Sequence, residues 1–380
     1  MYVALFVVSL IVVIMFHEFG HYITAKAFGM KVEKFFLGFG PTLWSFRKGE
    51  TEYGVKGIPA GGFVKISGMS EHEEVPPEDR SRAFYTQPAW QRFIVLVSGS
   101  VTHFILAFAL MFAALAFVGL PTGTSQVSQV VDDSPAAAAG LQPDDEILSI
   151  AGVPTEDFDA VSAAVNDRPG ETVQVEVLRD GRRLTLTSTI ADTKPTGEPG
   201  GFLGVGPVVS DVPMSVGAAA RGVFVGDYSV PRLTQLTMGG VVQALSPTGL
   251  GQWLGQLEED APRDPEAGGV ISLVGAGQIF SAFGASGDLF ALLVLLVALN
   301  IIFGVLNMAP LPPLDGGHVA VLLIEQGVNG VRRVRGRPAT WRLDPAVITP
   351  IAIAVVLFFV ILNVIALYLD ITKPLGDLLQ

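Results

Sequence analysis

The sequence predicts a multi-pass α-helical membrane protein: four transmembrane helices, a membrane-associated β-hairpin sheet and an inserted extracytoplasmic α/β domain. Three observations predict it. Half of the 380 residues are hydrophobic and only 16% are charged, against about 25% in an ordinary soluble domain. Four stretches, Tyr2 to Ala25, Phe93 to Val118, Leu289 to about Met308 and Ile348 to Leu369, have the length and apolarity to cross a bilayer, which takes about 20 residues. Between the second and third lies a long, mostly polar region, 121–288. The net charge of −12 argues against nucleic acid as a partner. The absence of cysteine excludes disulfides, thiolate zinc sites, iron–sulfur clusters and a cysteine nucleophile. Any metal must be held by His, Asp or Glu.

The first span, within residues 1–28, has no basic residue ahead of its apolar run and carries two His and a Glu near its end. Both features predict a retained helix rather than a cleaved signal. Residues 29–91 follow as short β-runs broken by Gly and Pro: Phe35–Phe39, Thr42–Phe46, Glu52–Ile58 and Gly62–Ile66. They fit an amphipathic sheet at the membrane face or a small soluble hairpin equally well. The second span occupies 92–120.

Lys and Arg orient the chain. Residues 26–92 hold ten of the 24 basic residues, and the loop 319–346 holds Arg332, Arg333, Arg335, Arg337 and Arg342. The region 121–288 holds eight basic against 22 acidic residues, a net −14. The basic segments belong in the cytoplasm, and both termini and the acidic region outside.

Within 121–193, a strand at Gln126–Val131 precedes a short helix opened by Pro135 and closed by Gly140. Strand Ile147–Ile150, helix Phe158–Asn166 and a hairpin, Val173–Leu178 with Leu184–Ile190 around Asp180-Gly181, complete the unit. With the run SPAAAAGLQPDDEILSIAG, this order resembles a PDZ domain of the bacterial envelope-protease type, a module that binds extended peptides along a strand edge. Residues 194–288 are expected to be a Gly/Pro-rich linker (194–201), amphipathic helices at the outer membrane surface (212–257, with Trp253) and an acidic loop (258–268). The third span with the motif after it covers 289–318, and 347–380 is the fourth span with a tail.

His17-Glu18-Phe19-Gly20-His21 is an HExxH motif. On a helix, residues four apart share a face, so both imidazoles can bind one cation. Glu18 beside them suits a general base. Two imidazoles and a carboxylate inside a span are costly, at about 2.5–3.5 kcal/mol for each ionised group, and a bound zinc ion offsets that. A third ligand is required. The third span ends in Asn307-Met308-Ala309-Pro310-Leu311-Pro312-Pro313-Leu314-Asp315-Gly316-Gly317-His318, where prolines unwind the chain at membrane depth. Asp315 or His318 can supply the ligand, although Asp315 can also serve as N-cap of a helix Val319–Gly327.

HEFGH in the first span, NMAPLPPLDGGH after the third, the segment FFLGFGPTLWSF…TEYGVKGIPAGGFVKISGM and a single PDZ-like unit together resemble the site-2 protease family of intramembrane zinc metalloproteases, over nearly the whole chain. GGVISLVGAGQIF is similar to actinobacterial members. The resemblance implies one Zn²⁺ on His17, His21 and Asp315, with Glu18 as catalytic base. It implies substrate-positioning roles for Asn307 and for the hairpin residues Gly62, Phe63 and Val64, and an active site toward the cytoplasmic leaflet of a bacterial membrane. The expected substrate is a single-span membrane protein such as an anti-sigma factor, already trimmed by an upstream site-1-type protease. The family's Gly-Pro-x-x-Asn motif is altered here to Gly99-Ser100-Val101-Thr102-His103. His103 is therefore either a substrate-positioning residue near the site or a packed histidine, and His72 reads as a solvated surface residue. Three competing readings remain: a catalytically silent membrane-anchored scaffold, a transporter with a structural metal, and a membrane zinc protease of another substrate class. The complete ligand set, the lack of internal repeats and the inserted domain argue against them in turn.

Overall fold

The structure, a computed structural model, describes residues 1–69, 73–258, 269–343 and 345–374. His72, nearly all of the acidic stretch 258–268 and the end of the tail lie outside these. The chain forms two compact units, Met1–Ala113 with Ala220–Gln380, and Ala114–Ala219.

In the first unit, α1 (Tyr2–Ala27) is followed by β1 (Val32–Lys48) and β2 (Thr51–Ile66). The four runs expected from sequence are present, but merged into two strands that fold back on themselves. Phe36 pairs with both Gly54 and Phe63, and Leu37 with both Val55 and Gly62. The spatial order is therefore 42–48, 51–56, 34–37, 62–66. The corner in β1 falls at Gly38 and Gly40, with φ of 85° and 84°, a region that residues with a Cβ avoid. Run 62–66 is a free edge of this sheet. Leu43, Trp44, Phe46 and Ile58 are exposed, so the sheet presents apolar side chains outward.

α2 (Ala89–Ala113) extends by a π-turn to Val118. In the second unit, β3 (Leu120–Val130), α3 (Pro135–Ala139), β4 (Glu146–Ile150), β5 (Val153–Pro154), α4 (Phe158–Asn166), β6 (Thr172–Arg179) and β7 (Arg182–Thr189) follow in the expected order. Ser134 caps α3 by accepting from Ala137 N–H, and Gly140 ends it at φ 82°. In the sheet β3, β4, β6 and β7 are neighbours in that order. It encloses a core of Val127, Ile147, Ile150, Val161, Val175 and Val177. One expectation fails here. Residues 194–201 are not a linker: β8 (Ala191–Thr193) and β9 (Pro199–Phe202) form a hairpin, and β10 (Val205–Val212) returns to pair with β3. A turn-rich composition signals a tight hairpin as readily as a linker.

α5 (Val216–Gly222), where the chain passes from the second unit to the first, and α6 (Val230–Ala244) and α7 (Pro247–Gly255) of the first unit are the short helices expected between 212 and 257. Trp253 does not lie at a surface: it is 1% exposed and packs with Leu362, Ala366 and Leu369. α8 (Leu273–Ser286), absent from the sequence reading, packs Phe280 against Phe6 of α1. α9 (Leu289–Asn307), α10 (Asp315–Val334) and α11 (Pro345–Thr372) complete the chain. Among the described residues, four helices are long and apolar enough to cross a membrane: Tyr2–Ala27, Ala89–Val118, Leu289–Asn307 and Ala346–Thr372.

Candidate active site

α1 sets His17 and His21 one above the other, with their Nε2 atoms 3.2 Å apart and rings edge-on at 4.8 Å. The third partner arrives 294 residues after His21. Oδ2 of Asp315 lies 3.2 Å from Nε2 of His17 and 3.3 Å from Nε2 of His21. Asp315 is not an N-cap. Leu314 holds that position, and α10 begins at Asp315 itself rather than at Val319, which frees the carboxylate to face the imidazoles. Gly316 and Gly317 allow the approach, because a Cβ at either would run into the backbone of 308–312. His318 is exposed. Among the described residues, the one group of His, Asp and Glu able to hold a metal is His17, His21 and Asp315.

Surrounding contacts position the two imidazoles. Nδ1 of His21 donates to Val95 O at 2.7 Å. That bond leaves Nε2 as a bare lone pair, the tautomer a metal requires. Gly99 backs both rings: a Cβ there would overlap Nε2 of His21 and come within 2.5 Å of Cε1 of His17. His103 is 3% exposed, its ring 5.1 Å from that of His17, so it lies beside the site and is also a packed histidine, and its position does not decide between the two expectations. Its Nδ1 pairs with Asn300 Oδ1 at 3.2 Å, and Asn300, fully buried, donates to Leu296 O. Sequence reasoning missed Asn300, although an amide amid apolar residues of a span is itself a signal.

These residues fit a zinc ion. Zinc takes N and O donors at about 2.0–2.2 Å in a tetrahedron, which separates the donors by about 3.3–3.5 Å. The three sides of 3.2–3.3 Å form one face of such a figure. Oδ2 of Asp315 and Nδ1 of His17 are buried without a hydrogen-bond partner among the described residues. Three ligand-type atoms, Nε2 of His17, Nε2 of His21 and Oδ2 of Asp315, thus converge on one point, as a bound cation requires.

Glu18 turns from the triad toward the sheet. Val64 N–H on the free-edge run donates to its Oε2 at 2.9 Å. Gly62 lets the strand approach, since a Cβ there would stand 3.2 Å from Cγ of Glu18. Phe63 stacks on Phe36 at 5.7 Å. Asn307, at the end of α9, is half-buried and its side chain makes no hydrogen bond among the described residues. The sheet is tied to the end of α1 through Glu50, which accepts from Arg82 Nη1 at 2.6 Å and from Lys26 Nζ at 2.8 Å. The Arg82 guanidinium, assisted by Lys26, outweighs burial and holds the Glu50 carboxyl down at about 2.

The family model for peptidase family M50 matches residues 5–363. The chain is 34% identical to zinc metalloprotease Rip1 of Mycobacterium bovis, covering 98% of each chain. It is equally identical, over the same shares, to zinc metalloprotease Rip1 of Mycolicibacterium smegmatis. A putative zinc metalloprotease of Mesorhizobium japonicum is 32% identical over 89% of this chain and 90% of that one. Among solved structures, an HtrA-type protease AlgW with decapeptide aligns with 18% of this chain and 22% of its own, at 34% identity and TM-score 0.18. Over so small a share that likeness carries no argument about fold. The convergent triad and the match along nearly the whole length agree: the chain belongs to peptidase family M50, the site-2 proteases, and is a membrane zinc metalloendopeptidase.

Proposed function

We propose that His17, His21 and Asp315 hold the zinc ion, that Glu18 is the general base, and that the substrate is a single-span membrane protein whose outer part has already been trimmed, such as an anti-sigma factor. The observation that carries the assignment is the closed triangle of two imidazole nitrogens and a carboxylate oxygen beside a second carboxylate held by a sheet edge. A zinc ion in that triangle supplies Lewis acidity toward a scissile carbonyl and acidifies water. Glu18 accepts the proton from the attacking water and delivers it to the leaving amine. His21 stays in one tautomer because Nδ1 is committed to Val95 O. A substrate helix hides its carbonyls in its own hydrogen bonds and must unwind first. Run 62–66 offers the unwound segment a strand partner next to Glu18, with Asn307 and His103 as further positioning residues.

The reading continues to orientation and to the inserted unit. Four spans, a cytoplasmic basic loop after α10 and outer termini follow from the charge distribution. The unit 114–219 reads as an extracytoplasmic PDZ domain that admits trimmed substrates and excludes bulky ones. Its strand–helix–strand–helix–hairpin order supports this.

The test is cleavage of a truncated single-span substrate by the purified protein in detergent, with zinc measured in each variant. Wild type cuts, Glu18→Ala keeps zinc and does not cut, and Asp315→Ala loses zinc. Cleavage by Glu18→Ala would end the assignment of the base. Excision of residues 120–212 is expected to let untrimmed substrate be cut, and unchanged selectivity would refute the gating role.

A further inference from the structure

We propose that a cavity between the start of α2, the second half of α10 and the segment 339–342 binds the phosphate of an anionic phospholipid. The cavity measures about 340 Å³ and, among the described residues, carries three guanidinium groups, Arg92, Arg333 and Arg342, against one carboxylate, Glu325. Its walls are fixed. Asn329 Nδ2 donates to Trp341 O and Trp341 N–H donates back to Asn329 Oδ1, each at 2.9 Å. Leu343 N–H donates to Glu325 Oε1 at 3.2 Å, so that carboxylate already has a partner.

Arg92 is the residue that asks for a ligand. Its Nε is buried without an acceptor, and its side chain makes no ion pair or hydrogen bond among the described residues. A guanidinium carries five donors, cannot be neutralised by losing a proton, and is costly to bury unanswered. A phosphate matches its fork with two parallel bonds.

The neighbouring space selects a lipid over a soluble phosphate. A second cavity of about 300 Å³ shares Arg92, Glu325 and Arg342 with the first, and Leu96, Val321, Leu322 and Ile348 contribute to its wall. The first chamber thus joins, at Arg92, a second whose wall mixes these apolar side chains with His318 and Thr349, at the ends of two long apolar helices. An amphiphile fills both, headgroup in the first and the start of an acyl chain in the second. A soluble phosphate fills only the first. Basic recesses between membrane helices are suited to anionic headgroups in this way.

The experiment uses the full chain in detergent and phosphatidylglycerol, read by native mass spectrometry. Wild type is expected to retain one phosphatidylglycerol and no phosphatidylcholine, and Arg92→Gln to weaken retention at least about tenfold, as loss of a bidentate charged pair should. Arg47→Gln, on the sheet, serves as the charge-loss control and should bind as wild type. Zinc content equal to wild type certifies the fold of each variant. If Arg92→Gln fails that check, the exposed Arg333→Gln reads the same cavity and should show a smaller loss in the same direction. Retention unchanged in the folded arginine variants overturns the site. Displacement of the lipid by inorganic phosphate in millimolar excess overturns the lipid assignment in favour of a soluble phosphate.

Discussion

Asp145 in the inserted unit and Asp315 at the start of α10 are both turned inward, but toward opposite kinds of partner. Asp145, wholly buried, receives Arg179 through both oxygens, Oδ1 from Nε at 2.6 Å and Oδ2 from Nη2 at 2.7 Å, along with Gln142 N–H. Burial pulls its carboxyl upward, yet Arg179 and Gln142 prevail and hold it below the usual carboxylate range. Charge and donors close on themselves, and nothing further is needed. Asp315 meets two imidazole nitrogens and no cation from the protein. The first arrangement is structural and complete. The second leaves a place where an ion fits, and that separates a candidate metal centre from a buried ion pair.

The comparison can be broken at several points. The largest effect is expected from Glu18→Gln, a loss of about 10²–10⁴-fold in turnover with zinc retained, read by single-turnover cleavage and metal analysis. Gly99→Val should expel the imidazoles from their positions and lower zinc affinity more than about tenfold, measured by chelator competition. A variant that still binds zinc tightly would mean that the rings have room the structure denies them. Asp145→Asn acts on the other unit: it leaves Arg179 short of its counter-charge and should cost about 1–3 kcal/mol of that unit's stability, seen by denaturant unfolding. Zinc content should not change, and a change there would erase the contrast between the two carboxylates.

The smallest effect concerns pH. Glu50 is held near 2, below its ordinary 4.5. A depressed carboxylate contributes stability that is present above about 4.5 and lost as pH falls through about 2. Glu50→Gln should flatten the acid dependence of thermal unfolding within that window and leave neutral-pH activity nearly intact.

Much of the centre could be read before any coordinates. The spacing of His17 and His21 needs only helical geometry, and unwound, proline-rich chain at membrane depth points to Asp315 and His318 alike, with Asp315 singled out by the family resemblance. Helix Phe158–Asn166 has the same bounds in sequence and structure because its apolar residues fall on one face and Asp157 caps it. What stayed hidden depends on distant partners. Nothing local in Val205–Val212 says that it returns to β3. Gly99 is an ordinary glycine in a span until the imidazoles stand against it. Val64 looks like any strand valine, and its role comes from a backbone N–H that has no sequence signature. In the inserted unit apolar residues mark the inside. In α1 the outward face is apolar too, with Val3, Leu5, Val7 and Val12 exposed, so there the polar residues mark the inside.

The distance along the chain between the proposed ligands sets a clock on biogenesis. The HExxH helix is made first, and Asp315 follows 294 residues after His21. At about 5–20 residues per second the ribosome needs roughly 15–60 s to supply it. Throughout that interval the nascent chain carries two imidazoles and the Glu18 carboxylate without Asp315. On that assignment the chain enters the bilayer without a complete metal site, and the site closes only when α10 arrives.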